Sequence, residues 1–228
     1  MTCREIIKLL QKQYNPKNVE GMARFGIASK NTLGIAIPFL RGLAEKIGTD
    51  HALALELWET GIHEARILAG IIADPELITQ KQMDSWAKDF DSWDICDCAC
   101  TNLFDRSKFA LKKIYQWHMR KEEFVKRASF STIAGVTCHN RKLGNKVFIK
   151  FFPLIKKASI DERNFVKKAV NWALRNIGKR NSALNKQALK FANTLLQLDS
   201  KSARWIAKDA VRELSSPQVL KRLAKKNI

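Results

Sequence analysis

The 228-residue sequence is 46% hydrophobic and 28% charged, and its formal net charge is +19. No apolar run reaches the roughly 18 residues of a transmembrane helix, and the N-terminal segment lacks the apolar stretch of a signal peptide, so we expect a cytoplasmic protein without membrane contact. So large a positive excess indicates a polyanionic partner, with a solubilising surface as the alternative.

Helical periodicity recurs along the chain and strand signals are scarce, which predicts an all-α protein. Asp74–Pro75 and Ser216–Pro217 each have the form of an N-cap followed by the first helical residue, and Ser159 to Glu162 have the form of a capping box. No linker rich in Ser, Gly or Pro divides the chain. We therefore expect one HEAT-like repeat domain over residues 1–228.

The segment DFDSWDICDCACTNLF (89–104) has helical periodicity, and as a helix it buries a face made of Ile95, Cys96, Ala99, Cys100 and Leu103. Trp93 and Asp97, four residues apart, are then neighbours beside this face, whereas Asp94 points further round. A carboxylate on a polyanion-binding surface would repel phosphates, so the presence of Asp97 on such a surface suggests a catalytic role. A solvated or helix-capping aspartate is the alternative.

The sequence carries no signature of a bound metal or nucleotide. Cys96, Cys98 and Cys100 alternate along a helix, a spacing that does not bring three thiolates to one tetrahedral ion. There is no Walker, Rossmann or His-Glu-x-x-His motif, and no helix-hairpin-helix with a catalytic lysine. We therefore expect no metal and no cofactor.

Similar segments begin near residues 63, 123, 163 and 203. When Val125, Val166 and Ile206 are aligned, the segments are 41 and 40 residues apart, the length of a two-helix HEAT or armadillo repeat. These spacings predict a superhelical stack of HEAT-like two-helix repeats with a concave basic face. An irregular helical bundle is the alternative.

The positive charge is concentrated near the C-terminus, where residues 141–228 hold 22 Lys or Arg and 5 Asp or Glu. In the helix predicted from Phe165 to Lys179, a basic stripe borders the apolar face and Trp172 lies beside it; the stripe consists of Lys168, Arg175 and Lys179. Such a tryptophan either contacts a sugar or base while the cations hold phosphates, or packs in the core. Arg127 projects away from the apolar face of its own helix and could reach a phosphate.

Several segments together resemble the HEAT-like DNA alkylation repair glycosylases, namely MARFGI (22–27), NTLGIAIPFLRGLAEKIG (31–48), LALELWETGIHEARILA (53–69), DFDSWDICD (89–97) and FVKKAVNWALRNIGK (165–179). The resemblance covers nearly the whole chain. It implies base excision repair by a monofunctional DNA glycosylase. Such an enzyme hydrolyses the N-glycosidic bond of cationic N3- or N7-alkylated purines in double-stranded DNA and leaves an abasic site. We expect a monomeric protein that associates with the nucleoid by binding DNA.

The same resemblance assigns roles to individual residues. Asp97 matches the catalytic aspartate, Trp93 and Trp172 match two cleft tryptophans, and Arg127 is similar to a phosphate-contacting arginine. Lys168, Arg175 and Lys179 are the further DNA-binding residues expected from the basic stripe. Two alternatives from other classes are a non-catalytic helical-repeat module that binds DNA or RNA structure, and a scaffold for an acidic protein partner.

Overall fold

The computed structural model describes residues 1–27 and 31–226, and these contain helices and no β-strand. The prediction of an all-α protein is therefore confirmed. The chain forms two compact units, residues 1–109 and 110–228. The expectation of one domain over the whole chain stays a prediction. No helix in the described ranges is both long and apolar enough to cross a membrane.

Unit 1 consists, in its described part, of α1 (Cys3–Lys12), α2 (Pro16–Ala23), α3 (Ile37–Ile47), α4 (His51–Glu59), α5 (His63–Ile72), α6 (Gln80–Asp89), α7 (Trp93–Asn102) and a 3₁₀ turn (Phe104–Arg106). Most of α5 is buried, and it packs against α3, α4 and α7. In the core, Trp58 and Trp86 stack with ring centroids 3.9 Å apart. The helix α7 thus packs against the buried helix α5.

The predicted helix start at Asp74–Pro75 is wrong. Asp74 instead closes a turn, in which its carboxylate accepts a hydrogen bond from the Glu76 N–H at 2.9 Å and its carbonyl accepts one from the Leu77 N–H at 3.2 Å. The helix α6 begins only after Thr79, whose hydroxyl accepts from the Gln82 N–H. Asp74 therefore caps a turn that does not continue into a helix.

Unit 2 consists, in its described part, of α8 (Ala110–Trp117), α9 (Glu123–His139), α10 (Asn145–Ile149), α11 (Phe152–Ala158), α12 (Asn164–Gly178), α13 (Ser182–Leu195), α14 (Lys201–Leu214) and α15 (Pro217–Lys226). The aligned residues Val125, Val166 and Ile206 lie on α9, α12 and α14, and all three are buried. Because α12 packs against both α9 and α14, the similar segments are the equivalent helices of successive repeats.

One of the two further helix starts predicted in unit 2 is confirmed. The helix α15 begins at Pro217, and the Ser216 hydroxyl accepts from the Val219 N–H. The capping box at Ser159 is wrong, because Ser159 is the C-cap of α11 and donates its hydroxyl to the Lys156 carbonyl. The two carboxylates that follow Ser159 bind side chains and backbone groups elsewhere, so α12 begins at Asn164.

Candidate functional site

A cavity of about 730 Å³ lies beside α7 in unit 1. Its apolar lining includes Met22, Ile27, Ile35, Ile67 and Ile71. Trp93, Asp94 and Asp97 of α7 line the same cavity, and α3 contributes the exposed Arg41. Arg41 lies in one of the segments that resemble the glycosylase family, residues 31–48, but no sequence pattern marks it as a functional residue. The cavity therefore combines an aromatic ring, two carboxylates and a guanidinium within apolar walls.

Trp93 and Asp97 project from successive turns of α7, as the sequence predicts. The buried face of α7 is confirmed, since Ile95, Cys96, Ala99, Cys100 and Leu103 are all 1% exposed or less. Trp93 is half-buried, and its Nε1–H donates to the Phe25 carbonyl at 3.0 Å. This bond fixes the indole against the segment that follows α2. Asp97 is half-buried on the same wall.

Asp94 has a defined partner that the sequence reasoning missed. The Nε2 of His63, at the first residue of α5, lies 2.8 Å from Asp94 Oδ2, and His63 is buried. Asp94 Oδ1 also accepts from the Ser92 hydroxyl at 2.7 Å and the Ile95 N–H at 3.0 Å. These contacts tie the first turn of α7 to α5. His63 and Asp94 are 31 residues apart, so no local pattern links them.

The two members of this pair shift each other's proton affinity. Burial alone lowers the pKa of His63, but the hydrogen bond to Asp94 and the charge of Asp94 outweigh burial and raise that pKa. Burial alone raises the pKa of Asp94, whereas the bonds from His63, Ser92 and the Ile95 amide hold it below its ordinary value. His63 Nδ1 is buried and has no hydrogen-bond partner among the described residues.

Glu64 fixes another wall of the cavity through backbone bonds. Its carboxylate is fully buried and accepts from the N–H groups of Leu33, Gly34 and Ile35 at 2.7 to 3.2 Å. Gly34 has φ +75°, and a Cβ there would lie 2.3 Å from the Asn15 carbonyl oxygen. Only glycine fits this close approach, so the segment on the cavity wall is held in one conformation.

Cys98 lines the cavity but is poorly suited to act as a nucleophile. Burial raises the pKa of its thiol to about 12. The sulfur donates to the Ile67 carbonyl at 3.5 Å and accepts from the Asn102 amide at 3.4 Å. A thiol with so high a pKa is protonated at neutral pH, so its role is packing.

In unit 2, Lys168, Trp172, Arg175 and Lys179 form a stripe along α12 and its C-cap, here named the α12 stripe. Lys168 is exposed and Trp172 is half-buried, as the predicted position beside the core implies. Arg175 and Lys179 both bind the Glu213 carboxylate, at 2.5 and 2.6 Å. Arg175 also lies 3.2 Å from Asp209. Two of the three cations therefore have acidic partners on α14.

Arg127 is not the surface residue that its helical position suggests. It is 5% exposed, and its Nη1–H donates to the Phe165 carbonyl at 2.6 Å, near the start of α12. The whole middle of α9 is buried between neighbouring helices, so even its polar positions face protein. Arg127 thus holds the N-terminal turn of α12.

The sequence model described as DNA alkylation repair enzyme matches residues 6–214. The chain belongs to this family. A solved structure, described as a new family of proteins related to the HEAT-like repeat DNA glycosylases with affinity for branched DNA structures, is 19% identical with a TM-score of 0.77, over 93% of this chain and 95% of that one. This likeness confirms the predicted fold of HEAT-like helical repeats.

Two other comparisons add nothing to this assignment to the DNA alkylation repair enzyme family. A designed armadillo repeat protein in complex with a (KR)4 peptide is 14% identical, with a TM-score of 0.34, over 81% of this chain and 88% of that one. No curated protein matches the chain.

Proposed function

We propose that the protein is a monofunctional DNA glycosylase that removes cationic N3- or N7-alkylated purines from double-stranded DNA. The observation that carries the proposal is the placement of Asp97 and Trp93 on one wall of the cavity in unit 1. A carboxylate and an aromatic face are the groups that stabilise a developing sugar cation. Apolar walls strengthen that stabilisation, because charges interact more strongly where water is excluded.

The reaction needs no general acid for the leaving group. An N3- or N7-alkylated purine carries a positive charge, so the C1′–N bond breaks with its electron pair moving to the purine, which leaves as a neutral base. The deoxyribose becomes an oxocarbenium ion. Water adds its oxygen to C1′ and loses a proton, which Asp97 accepts and passes to solvent. The products are the free alkylpurine, an abasic site and one proton.

The binding roles divide between the two units. In unit 1, Trp93 is proposed to pack on the sugar. In unit 2, Trp172 is proposed to contact the DNA and to assist the release of the base. Lys168, Arg175 and Lys179 are proposed to hold phosphates, with Lys168 the most available because it is exposed and the other two bind Glu213. Arg127 is proposed to support the same surface by fixing the start of α12.

The test uses duplex DNA that carries a single N7-methylguanine, with the released base measured by mass spectrometry. Wild-type protein should release the base, and Asp97→Asn should slow release by about 100-fold or more. Asp91→Asn is the matched control, because Asp91 is exposed and does not line the cavity. No release by wild-type protein would overturn the proposal, and unchanged release by Asp97→Asn would overturn the role of Asp97.

A second candidate is a non-catalytic module that binds DNA structure. It is favoured by the likeness to a protein described as having affinity for branched DNA, and by the concentration of basic residues in unit 2, whereas the cavity lies in unit 1. This candidate predicts tight binding to DNA with no release of N7-methylguanine. The same wild-type experiment therefore decides between the two.

A further inference from the structure

A second stripe with the same residue pattern lies on α14. Around Trp172 of the α12 stripe, the cations stand four residues before and three and seven residues after the tryptophan. Around Trp205 the cations stand at these same spacings, at Lys201, Lys208 and Arg212. Spacings of three, four and seven place side chains on one helical face. These four residues are here named the α14 stripe.

The helices α12 and α14 lie side by side and run in the same direction. Three side-chain contacts join residues that are each 38 positions apart, and they advance by four residues at a time: Lys167 to Trp205, Asn171 to Asp209 and Arg175 to Glu213. Equal steps along both helices require a parallel arrangement. The α12 and α14 stripes are therefore carried by adjacent helices of unit 2.

The α14 stripe has more available positive charge than the α12 stripe. Lys201 and Lys208 are exposed and form no ion pair with another described residue, although the charge of Lys201 helps to lower the pKa of Glu162. Arg212 pairs with Asp209, yet its side chain is 77% exposed. In the α12 stripe, by contrast, Arg175 and Lys179 are tied to Glu213. Phosphates that approach unit 2 thus meet two exposed lysines on α14 that form no ion pair with the described residues.

Trp205 adds an aromatic surface to these cations. It is 41% exposed, whereas three other tryptophans, Trp58, Trp86 and Trp117, are buried. The ammonium of Lys167 lies 5.2 Å from the ring centroid and helps to fix the indole. An exposed aromatic ring flanked by cations suits unpaired nucleotides, because a base in a duplex is already stacked on both faces.

We propose that the α14 stripe binds single-stranded DNA. An unpaired base stacks on Trp205, while Lys201, Lys208 and Arg212 hold the phosphates of the strand. The proposal rests on DNA being the polyanion of the proposed function, but it does not depend on base release. It adds a contact to unpaired DNA beside the α12 stripe.

The first test measures binding of a fluorescein-labelled oligothymidylate of about 10 nucleotides, a length within the site size of single-strand binding folds. Trp205→Ala should weaken binding about tenfold, the loss of one base stack, and Trp205→Phe should restore most of it. Tyr115→Ala is the matched control, because Tyr115 is 44% exposed in the same unit but lies on α8. It should bind like wild type.

The second test measures the salt dependence of the same binding. Lys201→Gln and Lys208→Gln should each reduce the slope of log K against log salt by about 0.7, the value for one phosphate contact on a single strand. Lys190→Gln, an exposed lysine on α13, should leave the slope unchanged.

Three results would overturn the proposal: equal oligothymidylate binding by Trp205→Ala and wild type, an unchanged slope in both lysine variants, or displacement of the DNA by equimolar polyglutamate. Release of N7-methylguanine is measured in parallel, so that failure of the single-strand binding proposal can be distinguished from failure of the glycosylase proposal. Oligothymidylate binding without release by wild type contradicts only the glycosylase proposal. Release retained by Trp205→Ala also shows that the variant is folded.

Discussion

The two units differ in charge and in how their acidic side chains are used. Residues 1–109 hold 13 Lys or Arg and 15 Asp or Glu, a net charge of −2, whereas residues 110–228 hold 28 and 7, a net charge of +21. A polyanion is therefore attracted to unit 2. The cavity that combines a carboxylate with apolar walls lies in unit 1. Charge composition thus distinguishes the unit that attracts polyanions from the unit that contains the cavity.

Carboxylates build the site in unit 1 and partly neutralise the surface in unit 2. Glu64 and Asp94 accept hydrogen bonds from backbone amides and fix two walls of the cavity. In unit 2, Asp209 and Glu213 bind cations of the α12 stripe. Removing the Glu64 or Asp94 carboxylate should therefore destabilise unit 1, whereas removing the Asp209 or Glu213 carboxylate should strengthen DNA binding by unit 2.

The largest effect on stability is expected for Glu64→Gln. The Leu33, Gly34 and Ile35 amides all reach Oε1, but the Leu33 N–H also reaches Oε2 at 2.8 Å. An amide nitrogen at Oε2 would place a donor against this donor, and the negative charge that strengthens all the bonds would be lost. We expect the free energy of unfolding to fall by about 3 kcal/mol in urea titrations. Glu45→Gln, at an exposed position on α3, should change it by less than about 0.5 kcal/mol. Equal stability of Glu64→Gln and wild type would show that the Glu64 bonds do not hold the segment.

An intermediate, pH-dependent effect is expected for His63→Gln. The raised pKa of His63 means that its stabilisation is fully present below the unfolded pKa of about 6.5 and is lost as pH rises through the folded pKa. The lowered pKa of Asp94 means that its contribution is lost as pH falls through that pKa. The stability deficit of the variant should therefore be largest in mildly acidic solution, at about 2 kcal/mol, and shrink towards alkaline pH.

Thermal or urea unfolding across this pH range measures the deficit. His118→Gln serves as the control, because among the described residues His118 bonds to the Tyr115 carbonyl three positions away. A deficit of constant size from about pH 5 to about pH 9 would mean that the bond to Asp94 does not involve a protonated His63.

The smallest effect is expected for Glu213→Gln. The change removes the carboxylate that binds Arg175 and Lys179, so both cations become available to phosphates. Duplex DNA should bind a few times more tightly at moderate salt, and the salt slope should steepen by up to about 0.9 for each new contact. Asp199→Asn is the comparison, because it releases one cation, Arg204, from a longer ion pair of 3.3 Å at a fully exposed site. Unchanged or weaker binding by Glu213→Gln would mean that neither cation reaches DNA.

Local patterns predicted the helices better than they predicted the contacts between them. The buried face of α7 and the spacing of Val125, Val166 and Ile206 follow from helical periodicity and were confirmed. The bond of His63 to Asp94 and the burial of Arg127 depend on residues 31 and 38 positions away. No periodicity within one helix encodes such partners.

The same limit applies to the basic stripe and to helix starts. The spacing of Arg175 and Lys179 correctly places them on one face of α12 and its C-cap, but their partner Glu213 comes from the next repeat. Asp74 was predicted to be a helix N-cap, whereas in the structure its carboxylate caps a turn. The position of the stripe was predicted correctly and the helix start at Asp74 was not, because the structural use of a local signal depends on neighbouring elements.

The most direct test of the division between the units measures DNA affinity and base release separately. Duplex DNA with one N7-methylguanine would be used with Asp97→Asn and with the double variant Lys168→Gln/Lys208→Gln. We expect Asp97→Asn to bind as wild type but to release the base at least about 100-fold more slowly at saturating protein. The double variant should bind more weakly and release the base at the wild-type rate once saturated. If Asp97→Asn releases the base at the wild-type rate, or if both variants change the same quantity, the division between the units is contradicted.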